Sequence, residues 1–141
     1  MQRITVLAPS VPKSAPQRAS VKRDCWHVID LPHAPGQKLR NMLRRAGRDI
    51  EVRQEAWSGE CEDLVRRYLN EKRLDHGTRH IFSRVSAYVS NAPFAILYAA
   101  RSREGRLEGI VVGDHSALEA AFYMFAFRRG DSPPGTGDAL L

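Results

Sequence analysis

The chain is poor in the features that most directly assign a function. Its 141 residues include two cysteines, Cys25 and Cys61, far apart and in no Cys-x-x-Cys pattern. That excludes a disulfide-stapled scaffold and reads as two thiols in a reducing compartment. No apolar run approaches the ~20 residues that a helix needs to cross a bilayer. No charged-then-apolar stretch of the secretory-signal kind opens the chain. Acidic residues are missing before Asp24, whereas Arg3, Lys13, Arg18, Lys22 and Arg23 precede it. No Walker-type loop is present, and no Ser/His/Asp or Cys/His arrangement marks a nucleophile. Internal repeats are absent as well. The expectation is a cytoplasmic protein, peripheral to a membrane at most.

What is present is the material of one globular domain. Hydrophobic residues make up 43% and charged residues 27%, enough for a core, and the net charge of +6 favours an anionic partner. Residues 1–23 read as a flexible basic tail or linker. Their composition also suits an organelle transit peptide, but Pro9, Pro12 and Pro16 break the helix that such a peptide uses. Residues 24–141 read as the folded part.

Residues 26–31 form a short apolar run with strand character, ended by Pro32 and Pro35. Leu39, Met42, Leu43, Ala46 and Ile50 then fall at helical spacing. Arg40, Arg44 and Arg48 repeat every four residues on another side of that helix, with Arg45 beside them. Residues 49–56 alternate, with Ile50, Val52 and Ala56 on one face, as in a half-buried or edge strand. Ser58 is placed to cap a second helix, with Glu60, Glu62 and Asp63 in its first turn. Cys61, Leu64, Val65, Tyr68 and Leu69 make its apolar stripe. Beyond Gly77, one further helix is expected with the stripe Thr78, Ile81, Phe82, Val85, Tyr88 and Val89, ended by Asn91 and Pro93.

The last forty residues hold the strongest functional signal. Residues 93–102 and 106–114 read as strands joined by the hairpin loop Arg103-Glu104-Gly105, where Gly105 supplies a positive φ. The first of them has two apolar faces and should be covered on both sides. In the second, Gly109 and Gly113 leave one face nearly bare, which signals a bulge or a close backbone approach. Residues 120–128 are almost wholly apolar, as expected of a central strand. Pro133-Pro134-Gly135-Thr136-Gly137 is a turn, and Asp138 to Leu141 opens a helix. Small residues before a helix N-terminus are a phosphate-cradling arrangement.

This order resembles the first half of the GNAT-type N-acyltransferase fold. More narrowly, it looks like the C-terminal acyltransferase domain of the phosphatidylglycerol lysyltransferase type. Three segments carry the likeness: Lys38-Leu39-Arg40-Asn41-Met42-Leu43-Arg44-Arg45-Ala46, residues 98–112 around Glu104-Gly105-Arg106-Leu107-Glu108-Gly109, and residues 121–141. The resemblance implies an α/β domain with a mixed sheet and flanking helices: strand, two helices, hairpin, central strand, start of a helix. It implies that the backbone of Phe125, Ala126, Phe127 and Arg128 pairs with the pantetheine arm of acyl-CoA. The loop of Gly135, Thr136 and Gly137 then wraps its pyrophosphate. Relatives of the lysyltransferase type take an aminoacyl group from tRNA, which a basic surface also suits. The sequence departs from the family where Ser132 replaces the usual Gln or Arg before the loop. The family's later helices and strands have no counterpart, so the expectation is an incomplete domain whose open sheet edge favours a homodimer.

Each candidate also has a plainer reading. The glycine turn also reads as an ordinary C-terminal loop, and Asp138 as an early-helix charge. The arginine row of Arg40, Arg44, Arg45 and Arg48 is a solvated face or a contact for tRNA or anionic lipid, and in the second case the chain is a non-catalytic basic module. His76 and His80 have metal-pair spacing, but Gly77 lies between them, and no metal is expected. Asp114-His115 closes a strand in a surface loop and offers a base to an amine. Tyr98 and Tyr123 are expected in the core. No general base is assigned.

Overall fold

The computed structural model describes residues 34–117 and 120–141, together with Lys13 and Ser20. The chain divides after Ala34, and the fold described is that of Pro35–Leu141. The expected strand at 26–31, Cys25 and nearly all of the tail at 1–23 lie outside the described residues.

Nine elements follow in order: α1 (Gln37–Asp49), β1 (Ile50–Glu55), α2 (Gly59–Glu71), α3 (His76–Phe82), α4 (Val85–Asn91), β2 (Ala95–Ser102), β3 (Leu107–Asp114), β4 (Phe122–Arg128) and α5 (Thr136–Leu140). The strands form one sheet in the order β1-β2-β3-β4. All three pairings are antiparallel. The fold is therefore α/β as expected, but among the described strands the sheet is antiparallel throughout and not mixed. A parallel rung would need a strand across the outer edge of β4, and none is described there.

Two helical layers cover the sheet. On one face Cys61, Leu64 and Val65 of α2 and Val85 of α4 pack on Leu97, Ala99, Leu107, Ile110, Val112, Phe125 and Phe127. On the other, Ala46 of α1 and Leu140 of α5 pack with Ile50, Ala100 and Val111. The first layer is thick and aromatic. Phe127 meets Tyr68 edge-on at 5.2 Å and Phe82 at 5.3 Å, and Tyr88 meets Phe125 at 5.6 Å. The second layer is built of small side chains, so α1 and α5 lie close to the sheet.

The expected central strand, β4, is at the edge among the described strands. Phe122, Tyr123 and Met124 are exposed, at 45%, 57% and 40%, so Tyr123 is outside the core and Tyr98 is half-buried within it. The central position belongs to β2 and β3, and β3 is buried from Leu107 to Gly113. Gly109 explains the bare face. A Cβ there would lie 3.0 Å from Leu140 Cδ1 and 3.0 Å from the Phe127 carbonyl oxygen. The absent side chain lets α5 close on the sheet.

Three helices, not two, connect β1 to β2. The single helix expected after Gly77 breaks at Ser83 and Arg84. The Ser83 hydroxyl donates to the His80 carbonyl, and the Arg84 N–H reaches back three residues to Ile81. Tight bonds of this kind end a helix. The break turns Ile81 outward, 57% exposed, while Val85 stays buried. Ser58 sits at the N-cap of α2 as expected, but its hydroxyl makes no cap bond and instead lies 3.5 Å from Cys61 Sγ. Among the described residues no helix is long and apolar enough to cross a membrane.

An ion-pair network ties β1, α2 and the hairpin together. Arg101 makes a fork to Glu55 at 2.7 and 2.9 Å, reaches Glu60 at 2.8 Å and donates to the Gly105 carbonyl at 2.8 Å. Gly109→Ala should lower stability by about 1–3 kcal/mol, the usual penalty for overpacking. The expected reading is a lower urea midpoint at unchanged slope, because the fold is kept and only its stability falls.

Candidate functional site

The candidate site is assembled around β4 and the turn behind it. The register of β3 and β4 slips once: Val112 pairs with Phe125, but Gly113 pairs with Tyr123. Met124 is therefore the extra residue of a bulge, and a bulge leaves backbone groups out of the ladder and re-aims the strand. Beyond it the pairing is regular. The Arg129 N–H donates to the Glu108 carbonyl at 2.9 Å, next to the pair Gly109 with Arg128. Bonded pairs alternate in an antiparallel ladder. Phe127 and Phe125 thus turn their backbone toward β3, and Ala126 and Arg128 turn theirs to the outer edge.

The side chains of Phe125 and Phe127 are buried in the aromatic layer. They anchor the strand from below while its outer edge stays open among the described residues. Arg128 is exposed and reaches the Ser132 hydroxyl at 3.5 Å.

A second network holds the loop after β4. Glu108 is fully buried, and Arg106 grips its carboxylate at 2.7 and 3.2 Å. Arg106 also reaches Asp131 at 3.1 Å, and Arg129 reaches Asp131 at 3.0 Å. The Arg129 guanidinium, seconded by Arg106, pulls the Asp131 carboxyl down to about 2. A buried carboxylate needs such a partner. Glu108 is accommodated by a second register slip, where Ala100 pairs with Gly109 but Arg101 pairs with Leu107. Sequence reasoning noted Glu108 only as part of a motif, because burial of a lone charge leaves no local signal.

The turn at residues 133–137 has a split character. Gly135 has φ +86, and a Cβ there would lie 3.0 Å from the Met42 carbonyl and 3.1 Å from Ala46 Cβ. Its glycine is needed for a left-handed backbone pressed against α1. Thr136 is fully buried, and its hydroxyl and N–H both donate to the Pro133 carbonyl. Gly137 differs, since a Cβ there would meet nothing closer than Arg128 Cδ at 3.9 Å. The N–H groups of Gly137 and Asp138 find no acceptor among the described residues.

At the other end of β4 stands a polar group. The Tyr88 hydroxyl donates to Asp114, which also accepts from the Ser116 N–H at 2.8 Å. Hydrogen bonds from Ser116 and Tyr88 hold the Asp114 carboxyl below its ordinary value. The His115 Nε2 lies 3.2 Å from where a Gly113 Cβ would be. The imidazole therefore folds back over Gly113, the partner of Tyr123 beside the bulge.

The other expected residues are elsewhere. Arg40, Arg44, Arg45 and Arg48 are all exposed on α1. His76 and His80 line an open groove of ≈ 440 Å³ between α2 and α3, with Arg66 and Arg79. No group of three metal-ligating side chains occurs among the described residues.

Burial, and then the bond to Asp114, push the Tyr88 phenol up to about 12. A phenol with a raised folded pKa contributes stability that is complete below its unfolded value near 10 and is lost as pH rises through the folded one. Alkaline absorbance titration should therefore show a late tyrosine component that Tyr88→Phe removes. The variant should lose its stability deficit relative to the parent as pH passes about 12. No family model matches the chain, and no curated protein matches it.

Proposed function

We propose that residues 35–141 form a GNAT-like acyl-donor site, transferring an acyl or aminoacyl group to an amine or hydroxyl acceptor. The observation that carries the reading is a bulged strand whose outward groups at Ala126 and Arg128 pair with no strand among the described residues, and which leads into a turn with two amides that find no acceptor among them. The element order supports it: strand, helices, hairpin, strand, glycine turn, helix.

An extended ligand arm adds to a sheet edge by main-chain hydrogen bonds. Here the outward groups of Ala126 and Arg128 supply them, and the buried rings of Phe125 and Phe127 keep the strand straight. At the far end the Gly137 and Asp138 amides and the Arg128 guanidinium meet the donor's phosphates, with Gly135 and Thr136 shaping the turn. At the near end a bulge amide at Met124 polarises the donor carbonyl. The acceptor nitrogen or oxygen attacks that carbon and the bond to the thiol sulfur or the tRNA oxygen breaks; His115 takes the acceptor's proton and returns it to the leaving atom.

Calorimetric titration and thermal shift with acetyl-CoA, and with aminoacyl-tRNA, test this. One of the two donors should release heat and raise the melting temperature. Gly137→Asp should abolish that binding at unchanged fold, because position 137 has room for a side chain and a carboxylate there repels phosphate. Absence of heat and of a thermal shift with both donors would sink the proposal.

A further inference from the structure

The helix α1 presents five cations along 13 residues, Lys38, Arg40, Arg44, Arg45 and Arg48, against one acid, Asp49. Elsewhere Arg53, Arg66, Arg101, Arg106 and Arg129 each have a carboxylate within 4.0 Å, and arginines without one, such as Arg67, Arg73, Arg103 and Arg128, are spread over separate elements and loops. None of the five cations of α1 has one among the described residues. All five are exposed, whereas Leu39, Met42 and Leu43 are half-buried and Ala46 is buried.

Apart from Arg48, which the dipole favours in the last turn, this arrangement opposes helix stability. Lys38 and Arg40 lie in the first turn, where the dipole disfavours cations and where no acid compensates. The pairs Arg40/Arg44 and Arg44/Arg48 set like charges four apart, which is also unfavourable. A row of this kind is stabilised when phosphates sit against it. With a rise of ~1.5 Å per residue, the three arginines stand about 6 Å apart along the axis, each with a planar fork suited to a phosphate.

We infer that α1 is a docking surface for the sugar–phosphate backbone of a nucleic-acid duplex. Its outer face has no exposed aromatic for stacking on single strands. It also has no large exposed apolar side chain to enter a lipid interface. The large exposed hydrophobics, such as Ile81, Phe94 and Tyr123, are on other elements. The contact is with the backbone, so duplex RNA and duplex DNA are both ligands, and base sequence matters little.

The test is fluorescence anisotropy of the full chain with labelled RNA and DNA duplexes of one sequence, the matching single strand, and vesicles containing phosphatidylserine. Four neutralised phosphates, one for each arginine of α1, predict an affinity loss of about a hundredfold between 50 and 200 mM salt. R40Q/R44Q/R48Q should weaken duplex binding at least tenfold and flatten the salt slope by roughly three, about one for each phosphate no longer neutralised. R67Q/R73Q/R103Q removes the same charge elsewhere and should leave the slope unchanged. Circular dichroism of both variants should match the parent. The inference fails if the α1 variant binds duplex like the parent, if both variants lose affinity equally, or if vesicles bind and duplexes do not.

Discussion

Everything in this fold hangs on β3 being buried on both faces. Its residues from Leu107 to Gly113 have helices above and below and a strand on each side. Such a strand has no solvent face to absorb a misfit, so its side chains must match two layers at once. Ile110 and Val112 meet the thick aromatic layer, and Val111 meets the thin layer of alanines. Gly109 takes the remaining position and admits Leu140 of α5. Because α5 is thereby held against the sheet, the turn before it is pressed onto α1, with Gly135 at the contact.

The two ion networks extend that constraint to the loops. Arg101 gathers Glu55, Glu60 and the hairpin carbonyl, so the start of α2 and the end of β1 cannot drift from the hairpin. Arg106, Glu108, Asp131 and Arg129 tie the same hairpin to the loop leaving β4. Surface pairs contribute little by themselves. The Glu108 carboxylate is different, because it is buried and would be left uncompensated without Arg106. The loop before the turn is thus held by the network at Asp131, and the turn at 133–137 is pressed against α1 at Gly135. The proposed donor site rests on that held turn and on an edge strand that is anchored from below and, at Ala126 and Arg128, unpaired among the described residues.

The same chain also separates its charges. Arg53, Arg66, Arg101, Arg106 and Arg129 are answered by carboxylates, while among the described residues the five cations of α1 are not, nor are single arginines elsewhere such as Arg67 and Arg128. The sheet's two faces also differ in their covering. The aromatic layer with α2 to α4 is the thicker one. The thin layer carries the glycine turn and, on its outer surface, the unanswered cations.

Much of this was legible in the residues. The 3.6-residue stripe of Leu39, Met42, Leu43 and Ala46 determined α1 and turned its arginines to solvent. Alternation marked the strand β1, although of Ile50, Val52 and Ala56 only Ile50 is buried, and Gly105 determined the hairpin by its positive φ. Gly109 announced a close approach without naming what approaches. What the sequence did not determine is which strand lies in the middle. Phe122 to Phe127 are as apolar as any central strand, and only tertiary packing decided that Phe125 and Phe127 are covered while Phe122, Tyr123 and Met124 are exposed. The break at Ser83, the burial of Glu108 and the bulge at Met124 were likewise decided in three dimensions. Periodicity and conformational preference act over a few residues and are written locally. Strand order, the covering of a face and the cross-links between elements depend on partners distant in the chain, as Glu55 does on Arg101 and Asp131 on Arg106.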